Sequence, residues 1–221
     1  MHIIIGGLHM GREFDPLFDE WAATYDDTVA GHDIEYKEVF LHYDDILNEI
    51  AKRAIDNVLE FGVGTGNLTK KLLNKGLDVI GIEPSKEMRT LAKQKINQLE
   101  IYDGDFLLFP TNTKPIQTIV SSYAFHHLTD EEKNKAISIY TEMLPKDGKI
   151  VFADTMFASE HEKTIILEET KKRGYNRLLA DLQTEYYSTI PFLKQNFEKH
   201  GFAVQFHRMN KFVWILEAVK K

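Results

Sequence analysis

Apolar residues along this chain recur at two different spacings, and the change of period divides it. Phe14, Leu17, Phe18, Trp21 and Ala22 follow one another every three or four residues, and Tyr36, Val39, Phe40, Tyr43, Ile46, Leu47 and Ile50 repeat the pattern. That period predicts amphipathic helix over residues 14–52, broken at Gly31-His32-Asp33. From residue 57 onward, short apolar runs alternate with helical stretches. Residues 57–61 read as a buried strand that ends in a glycine-rich turn. The next helix carries Leu68, Leu72 and Leu73 inward and stops at Gly76, a residue suited to a helix C-terminus. Residues 78–83 form a second strand. Pro84-Ser85 opens a helix with an apolar stripe of Met88, Leu91, Ala92, Ile96 and Leu99.

Residues 100–103 make a third, weaker strand and residues 116–121 a fourth. Thr129-Asp130-Glu131-Glu132 is a capping box that starts a helix running to about residue 144. Residues 149–154 give a fifth strand. Residues 160–190 are charged and aromatic and yield no assignment. A helix over 191–200 then leads into two apolar strands, 202–206 and 212–218, which read as a β-hairpin with its turn near Asn210. Parallel strands need crossover connections, so repeated strand–helix units predict an α/β sheet covered on both faces. No repeat or linker interrupts the pattern. One domain is expected over residues 10–221, with a helical cover (10–54) in front of the sheet (55–221). Residues 1–9 differ in character and are expected to be a leader outside the fold.

Composition narrows the partners more than the fold. The formal charge is −7, and no basic block is present, so neither a phosphate backbone nor an anionic membrane is an expected partner. A small molecule is. With no cysteine, thiolate catalysis, disulfides and cysteine–zinc sites are excluded. The early apolar stretch Ile3-Ile4-Ile5 is too short for a signal peptide. No run approaches the ~20 apolar residues that span a bilayer. A cytoplasmic protein is expected, monomer or homodimer alike.

The candidate chemistry gathers at the first turn, Glu60-Phe61-Gly62-Val63-Gly64-Thr65-Gly66-Asn67. Glycines between a strand and a helix let a ligand approach the backbone where open α/β sheets bind their ligands. The nicotinamide pattern G-x-G-x-x-G fails in both frames, because Asn67 and Thr69 stand where the last glycine belongs, and no G-K-[ST] follows. What remains is E-x-G-x-G-x-G. Glu60 before the glycines would repel a pyrophosphate and welcome a cation. S-adenosylmethionine carries a sulfonium and an ammonium and no phosphate. Glu83 ends the second strand about 20 residues beyond Gly62, the spacing of an acid that accepts from ribose hydroxyls. In Asp103-Gly104-Asp105-Phe106, just past the third strand, a carboxylate can accept from an adenine amino group while Phe106 lies against the ring. Gly62, Gly64 and Gly66 complete the candidate cofactor set.

On these residues the chain resembles the class I S-adenosylmethionine-dependent methyltransferases, from about Ile55 onward. Glu60 to Gly66 looks like the family's first motif, Glu83 like its ribose-binding acid and Asp105 like its adenine-binding acid. Ser121-Ser122-Tyr123-Ala124-Phe125-His126-His127-Leu128 looks like the segment near the transferred methyl, which adds Ser121 to the cofactor set. Residues 18–26 resemble the opening helix that covers the cofactor in small-molecule members. From Met10 the chain is especially similar to the bacterial YrrT-like methyltransferases. The resemblance implies a Rossmann-like seven-stranded sheet of order 3-2-1-4-5-7-6 with the last strand antiparallel. One departure is Ile116-Gln117-Thr118, where many relatives have an aromatic–Asp pair entering the fourth strand.

Methyl transfer from a sulfonium is an in-line displacement that alignment in a dry site can accelerate. If the acceptor must lose a proton, His126 and His127 are the candidate bases. Tyr25 and Tyr36, in the N-terminal segment, are candidates to close over the methionine moiety or to donate to the acceptor. Asp154 faces the same sheet edge without an evident partner, and no histidine–carboxylate spacing suggests a metal. The expected activity is methyl transfer to a small-molecule acceptor. A domain that only senses S-adenosylmethionine or S-adenosylhomocysteine is the alternative, and a nicotinamide oxidoreductase is disfavoured by the glycine spacing.

Overall fold

In the computed structural model, residues 19, 21–97, 99–110 and 114–221 are described. The expected leader (1–9) lies outside them, as do Phe14, Leu17, Phe18 and Glu20 of the opening helix. The strands are β1 (Val58–Phe61), β2 (Val79–Ile82), β3 (Glu100–Tyr102), β4 (Thr118–Ser122), β5 (Lys149–Thr155), β6 (Phe202–Arg208) and β7 (Val213–Lys220). They form one sheet in the order β3-β2-β1-β4-β5-β7-β6. β1 to β5 pair in parallel, and β7 runs antiparallel to both β5 and β6. Every residue of β1 and β2 is buried, as expected for strands covered on both faces.

Around the sheet, among the described residues, lie the helices α1 (Tyr43–Arg53), α2 (Asn67–Asn74), α3 (Lys86–Lys95), α4 (Asp130–Met143), α5 (Glu160–Arg173), α6 (Asn176–Thr184) and α7 (Ile190–Lys199). Ile46, Leu47 and Ile50 of α1, Leu68 and Leu72 of α2, and Leu178 and Leu182 of α6 share one core with Val58, Val120 and Val151 of the sheet. Ile137 and Tyr140 of α4 and Leu193 and Phe197 of α7 share the other, with Leu59, Phe61, Ile119 and Phe152. The capping box at α4 is complete. Thr129 Oγ1 accepts from the Glu132 amide at 3.3 Å, and Glu132 Oε2 accepts from the Thr129 amide at 2.8 Å.

Two sequence expectations need correction, and one unassigned stretch is filled. Residues 36–42 are a chain of turns, with bonds from Phe40 N to Tyr36 O and from Tyr43 N to Phe40 O, both 3.0 Å. His42 takes a left-handed φ of 64° and only then does α1 begin. Successive turns bring every third or fourth residue inward much as a helix does, so spacing alone misreads them. α3 ends at Lys95, and Ile96 and Leu99 of the predicted stripe fall beyond it. Residues 160–190 hold two further helices, α5 and α6. No helix among the described residues is long and apolar enough to cross a membrane.

Because β1 to β5 are parallel, their C-terminal ends share one edge. The glycine turn after β1, Glu83 after β2, Asp105 after β3, residues 123–127 after β4 and Asp154 in β5 therefore converge there. The β6–β7 turn reaches the same end of the molecule. Asn210 accepts from Phe212 N and Val213 N through Oδ1, and its amide donates to Val39 O at 3.0 Å and Leu41 O at 2.9 Å. That residue pins the 36–42 turns over the sheet edge.

Candidate active site

The glycine turn builds the first chamber, and its glycines do different work. Gly64 has φ 57°, and a Cβ added there would meet nothing within 4 Å, so it leaves the space that a ligand would use. Gly62 (φ 68°) stands where a Cβ would come within 2.7 Å of Ala124 Cβ. Gly66 (φ 88°) packs instead on α3, where a Cβ would lie 2.9 Å from Ile96 Cδ1. The wall of this chamber includes Tyr25, Gly62, Gly64, Glu83, Asp105 and Phe106. Glu83 is buried and set by the backbone. Its Oε2 accepts from Gly64 N at 2.8 Å and its Oε1 from Ser85 N at 2.9 Å. Asp105 Oδ1 accepts from Leu107 N and Leu108 N, both at 2.8 Å, which leaves Oδ2 for a ligand. Phe106 is locked from behind, stacked on Phe61 at 5.1 Å.

The N-terminal segment closes over this turn. Tyr25–Asp27 is a single helical turn followed by a π-type turn, Thr28–His32. Asp26 accepts from Thr65 Oγ1 at 2.7 Å and Asn67 Nδ2 at 3.1 Å, and pairs with Lys95. Burial works to raise the Asp26 carboxyl, but these three donors outweigh it and hold the group below its ordinary value. Ser85 Oγ donates to Asp19 at 2.5 Å. The result is that Tyr25 sits on the chamber wall, its hydroxyl hydrogen-bonded to that of Tyr43.

A second chamber adjoins the first, and Tyr25, Tyr123 and His127 belong to the walls of both. Tyr123 is the pivot. Its φ is 54°, a conformation that costs a non-glycine residue about 1–3 kcal/mol and collects at functional sites. Its amide donates to Ala153 O at 2.8 Å, which holds the residue across the β4–β5 edge. Its hydroxyl is buried and has no hydrogen-bond partner among the described residues.

Behind the divide lies the network that the sequence left without a partner. His126 Nδ1 donates to Asp154 Oδ1 at 2.6 Å, and the His126 amide donates to Asp154 Oδ2 at 2.9 Å. His126 Nε2 lies 2.9 Å from Glu185 Oε2. Tyr187 donates to the same carboxylate at 2.8 Å and stacks on the imidazole at 4.6 Å. Burial opposes a charge on His126, but the two carboxylates prevail and push its pKa up to about 10. His127 is moved the other way, down to about 3, by burial and by the charge on His126. Glu185 is held in place by its own strap, where Tyr186 N donates to His126 O at 3.1 Å and buried Lys133 donates to Tyr186 O. Further along the wall, Tyr36 donates to Asp181, whose carboxyl is raised by burial despite that bond.

The structure thus redistributes the predicted site residues. Glu60 does not line the first chamber. It is buried behind the turn, accepts from Thr69 Oγ1 at 2.7 Å, and is pushed by burial up to about 8. Gly66 serves helix packing. Ser121 points away, and Ser122 takes the wall, because neighbouring strand residues face opposite sides. His126 faces only the second chamber and His127 both. Sequence reading did not single out Asp181, Glu185 and Tyr187, which the fold brings to the second chamber, and named Tyr123 only within its segment, while Asp154 gains its partner. Where spacing suggested no metal, the fold brings ligand atoms of His126, His127 and Glu185 within 4.8 Å of one another, although both ring nitrogens of His126 already face carboxylates.

A mostly parallel sheet with acids at successive strand ends, a glycine turn free of lysine, and an adjoining chamber make a ligand-binding edge of the open α/β kind. Comparison with known proteins specifies the family. Residues 58–148 match the family model described as a methyltransferase domain. An uncharacterized methyltransferase of Bacillus cereus is 57% identical over 213 residues, covering 96% of this chain and all of that protein. One from Bacillus mycoides matches with the same identity and coverage. The chain belongs to this methyltransferase family. Among solved structures, the magnesium protoporphyrin IX methyltransferase of Synechocystis PCC 6803 with bound SAM has the same fold, with a TM-score of 0.69 at 16% identity over 98% of this chain and 99% of that one.

Proposed function

We propose that this methyltransferase binds S-adenosylmethionine in the first chamber and transfers its methyl group across the Tyr25–Tyr123–His127 divide to a small-molecule acceptor in the second. The carrying observation is the pair of adjoining chambers with three shared wall residues. The donor set of the first chamber suits this cofactor, since it offers carboxylates and, among the described residues, no lysine or arginine. Bound there, S-adenosylmethionine supplies a methyl group already activated on a sulfonium. Glu83 is preset to accept from ribose hydroxyls and Asp105 Oδ2 from the adenine amino group, with Phe106 beside the ring. The open space at Gly64 receives the amino-acid end, under Tyr25.

The chain's own residues then align and shield the reacting groups; they do not abstract a proton strongly. His126 is no base at neutral pH, because it already holds its proton between Asp154 and Glu185. His127 stays neutral and lies on the divide, too weakly basic to drive deprotonation but uncharged beside the sulfonium. Alignment across the divide is therefore the main source of acceleration. A sensor would need only the first chamber, so the second favours transfer.

The test is to incubate the purified protein with methyl-labelled S-adenosylmethionine and a metabolite extract and to follow the label by mass spectrometry. Label should appear in a low-molecular-weight product together with S-adenosylhomocysteine. Label confined to nucleic acid or protein, or no turnover with any fraction, would refute the reading.

A further inference from the structure

The two chambers differ in chemical character. In the second, aromatic rings form a continuous wall: Trp21 meets Tyr36 at 6.3 Å, Tyr36 meets Phe40 at 6.5 Å, and Phe40 meets Tyr123 at 5.1 Å. Two carboxylates, Asp181 and Glu185, share that wall. Among the described residues lining it, no lysine or arginine is present. The one positive charge among those residues is the His126 imidazolium, and it already serves two carboxylates, Glu185 in front and Asp154 behind. Two carboxylates on the wall against one imidazolium, itself shared with Asp154, leave the chamber without a spare cation among the described lining residues. The guanidinium of Arg177 lies 5.6 Å from the Tyr36 ring and is tied to Asp33 and Glu35, which bring further negative charge. Lys133 stands behind the strap, engaged by Tyr186 O and Asp130. Tyr123, on a strained backbone, closes this wall as it does that of the first chamber, with its hydroxyl buried.

Resting on the reading that this chamber receives the acceptor, we propose that it is built for a small organic cation, an acceptor carrying an ammonium group on an apolar or aromatic body. The ammonium group lies against the ring faces with Asp181 and Glu185 as its counter-ions. A neutral molecule of the same shape would desolvate both carboxylates without giving them a partner. An anion would face them directly.

Calorimetry on the full chain saturated with S-adenosylhomocysteine separates these cases, using three probes with one body and three charges: 2-phenylethylamine, 2-phenylethanol and phenylacetate. EDTA is present throughout, so that no divalent ion at His126, His127 and Glu185 can neutralise the chamber. The amine should bind at least about tenfold tighter than the alcohol, and the acid should not bind. Asp181→Asn and Glu185→Gln should each erode that preference about fivefold or more. Asp181→Asn leaves the His126 network intact and reads the effect even if Glu185→Gln unfolds. An alcohol that binds as well as the amine, no binding by any probe, or an amine preference unchanged in Asp181→Asn would overturn the proposal. Failure of S-adenosylhomocysteine itself to bind would instead remove the reading beneath it, so the two failures are told apart.

Discussion

On the glycine side of Tyr123, the chamber wall is set by the main chain and by residues at the strand ends. Glu83 is oriented by the amides of Gly64 and Ser85, and Asp105 by those of Leu107 and Leu108. On the other side the wall is made of side chains from three distant segments. Glu185 is oriented by His126 and Tyr187, and Asp181 by Tyr36, which is 145 residues away in the chain. The acids of the first chamber are thus preset by the strand ends, although Tyr25, Tyr123 and His127 complete its wall. The second exists only once the N-terminal cover, the turn after β4 and the 185–187 strap have all docked. Such a division lets one cofactor site serve different acceptors by exchange of the covering segments, since function resides in sites carried by a fold.

The sharpest break of that comparison is Gly64→Val. A β-branched residue at φ 57° is strained, and its methyl groups would fill space that nothing in the protein occupies. Affinity for S-adenosylmethionine should fall by about 1000-fold or more, roughly 4 kcal/mol, while the ligand-free protein still melts cooperatively. Gly66→Ala is the control. Its Cβ would press on Ile96, so it should lower the melting temperature and leave affinity nearly unchanged. Retained binding in Gly64→Val would place the ligand elsewhere.

Asp154→Ala attacks the other side. It leaves a buried imidazolium with one carboxylate instead of two and removes the acceptor for the His126 amide. Breaking a buried pair from one side costs about 3 kcal/mol, measured here by urea unfolding. If the chambers are built independently, affinity for S-adenosylhomocysteine stays within about threefold. A parallel loss of both would show that the turn after β4 holds the two chambers together as one unit.

What was legible in the sequence follows the same division. The strand ends, the glycine spacing and the acids Glu83 and Asp105 are local signals, each readable within a few residues of a strand, and the sheet order followed from the family resemblance that they carry. The second chamber left no such signal. Tyr36, Val39 and Phe40 kept a helical spacing while forming turns, because turns also repeat every three or four residues. In residues 160–190, Ile165, Ile166 and Leu167 are consecutive and mark no single apolar face. Glu185 looks like any solvated acid until α6 delivers it to His126. Asp154 likewise needed a partner from beyond β4. Glu60 is the reverse case, a local signal that pointed to the ligand although the side chain turns inward.

Glu60→Gln should give the smallest effect and tests that last point. Burial lifts the Glu60 carboxyl from its ordinary value of 4.5 to about 8, so the folded protein holds this proton more tightly than the unfolded chain. The sign follows by linkage. The contribution of the protonated group is fully present below pH 4.5 and is lost as pH rises through about 8. Glutamine has the shape of the protonated acid and does not titrate. Near pH 5 the variant should match the parent within about 1 kcal/mol, the usual scale of one hydrogen bond, and from there to pH 8 it should gain stability relative to the parent. Its affinity for S-adenosylmethionine at pH 7 should change by less than about threefold, since Thr69 and not the ligand is the partner of this side chain. A loss of tenfold or more without a loss of stability would return Glu60 to the cofactor site as a buried negative charge acting on the sulfonium through the turn, and the first chamber would then owe its selectivity to field as well as to contact.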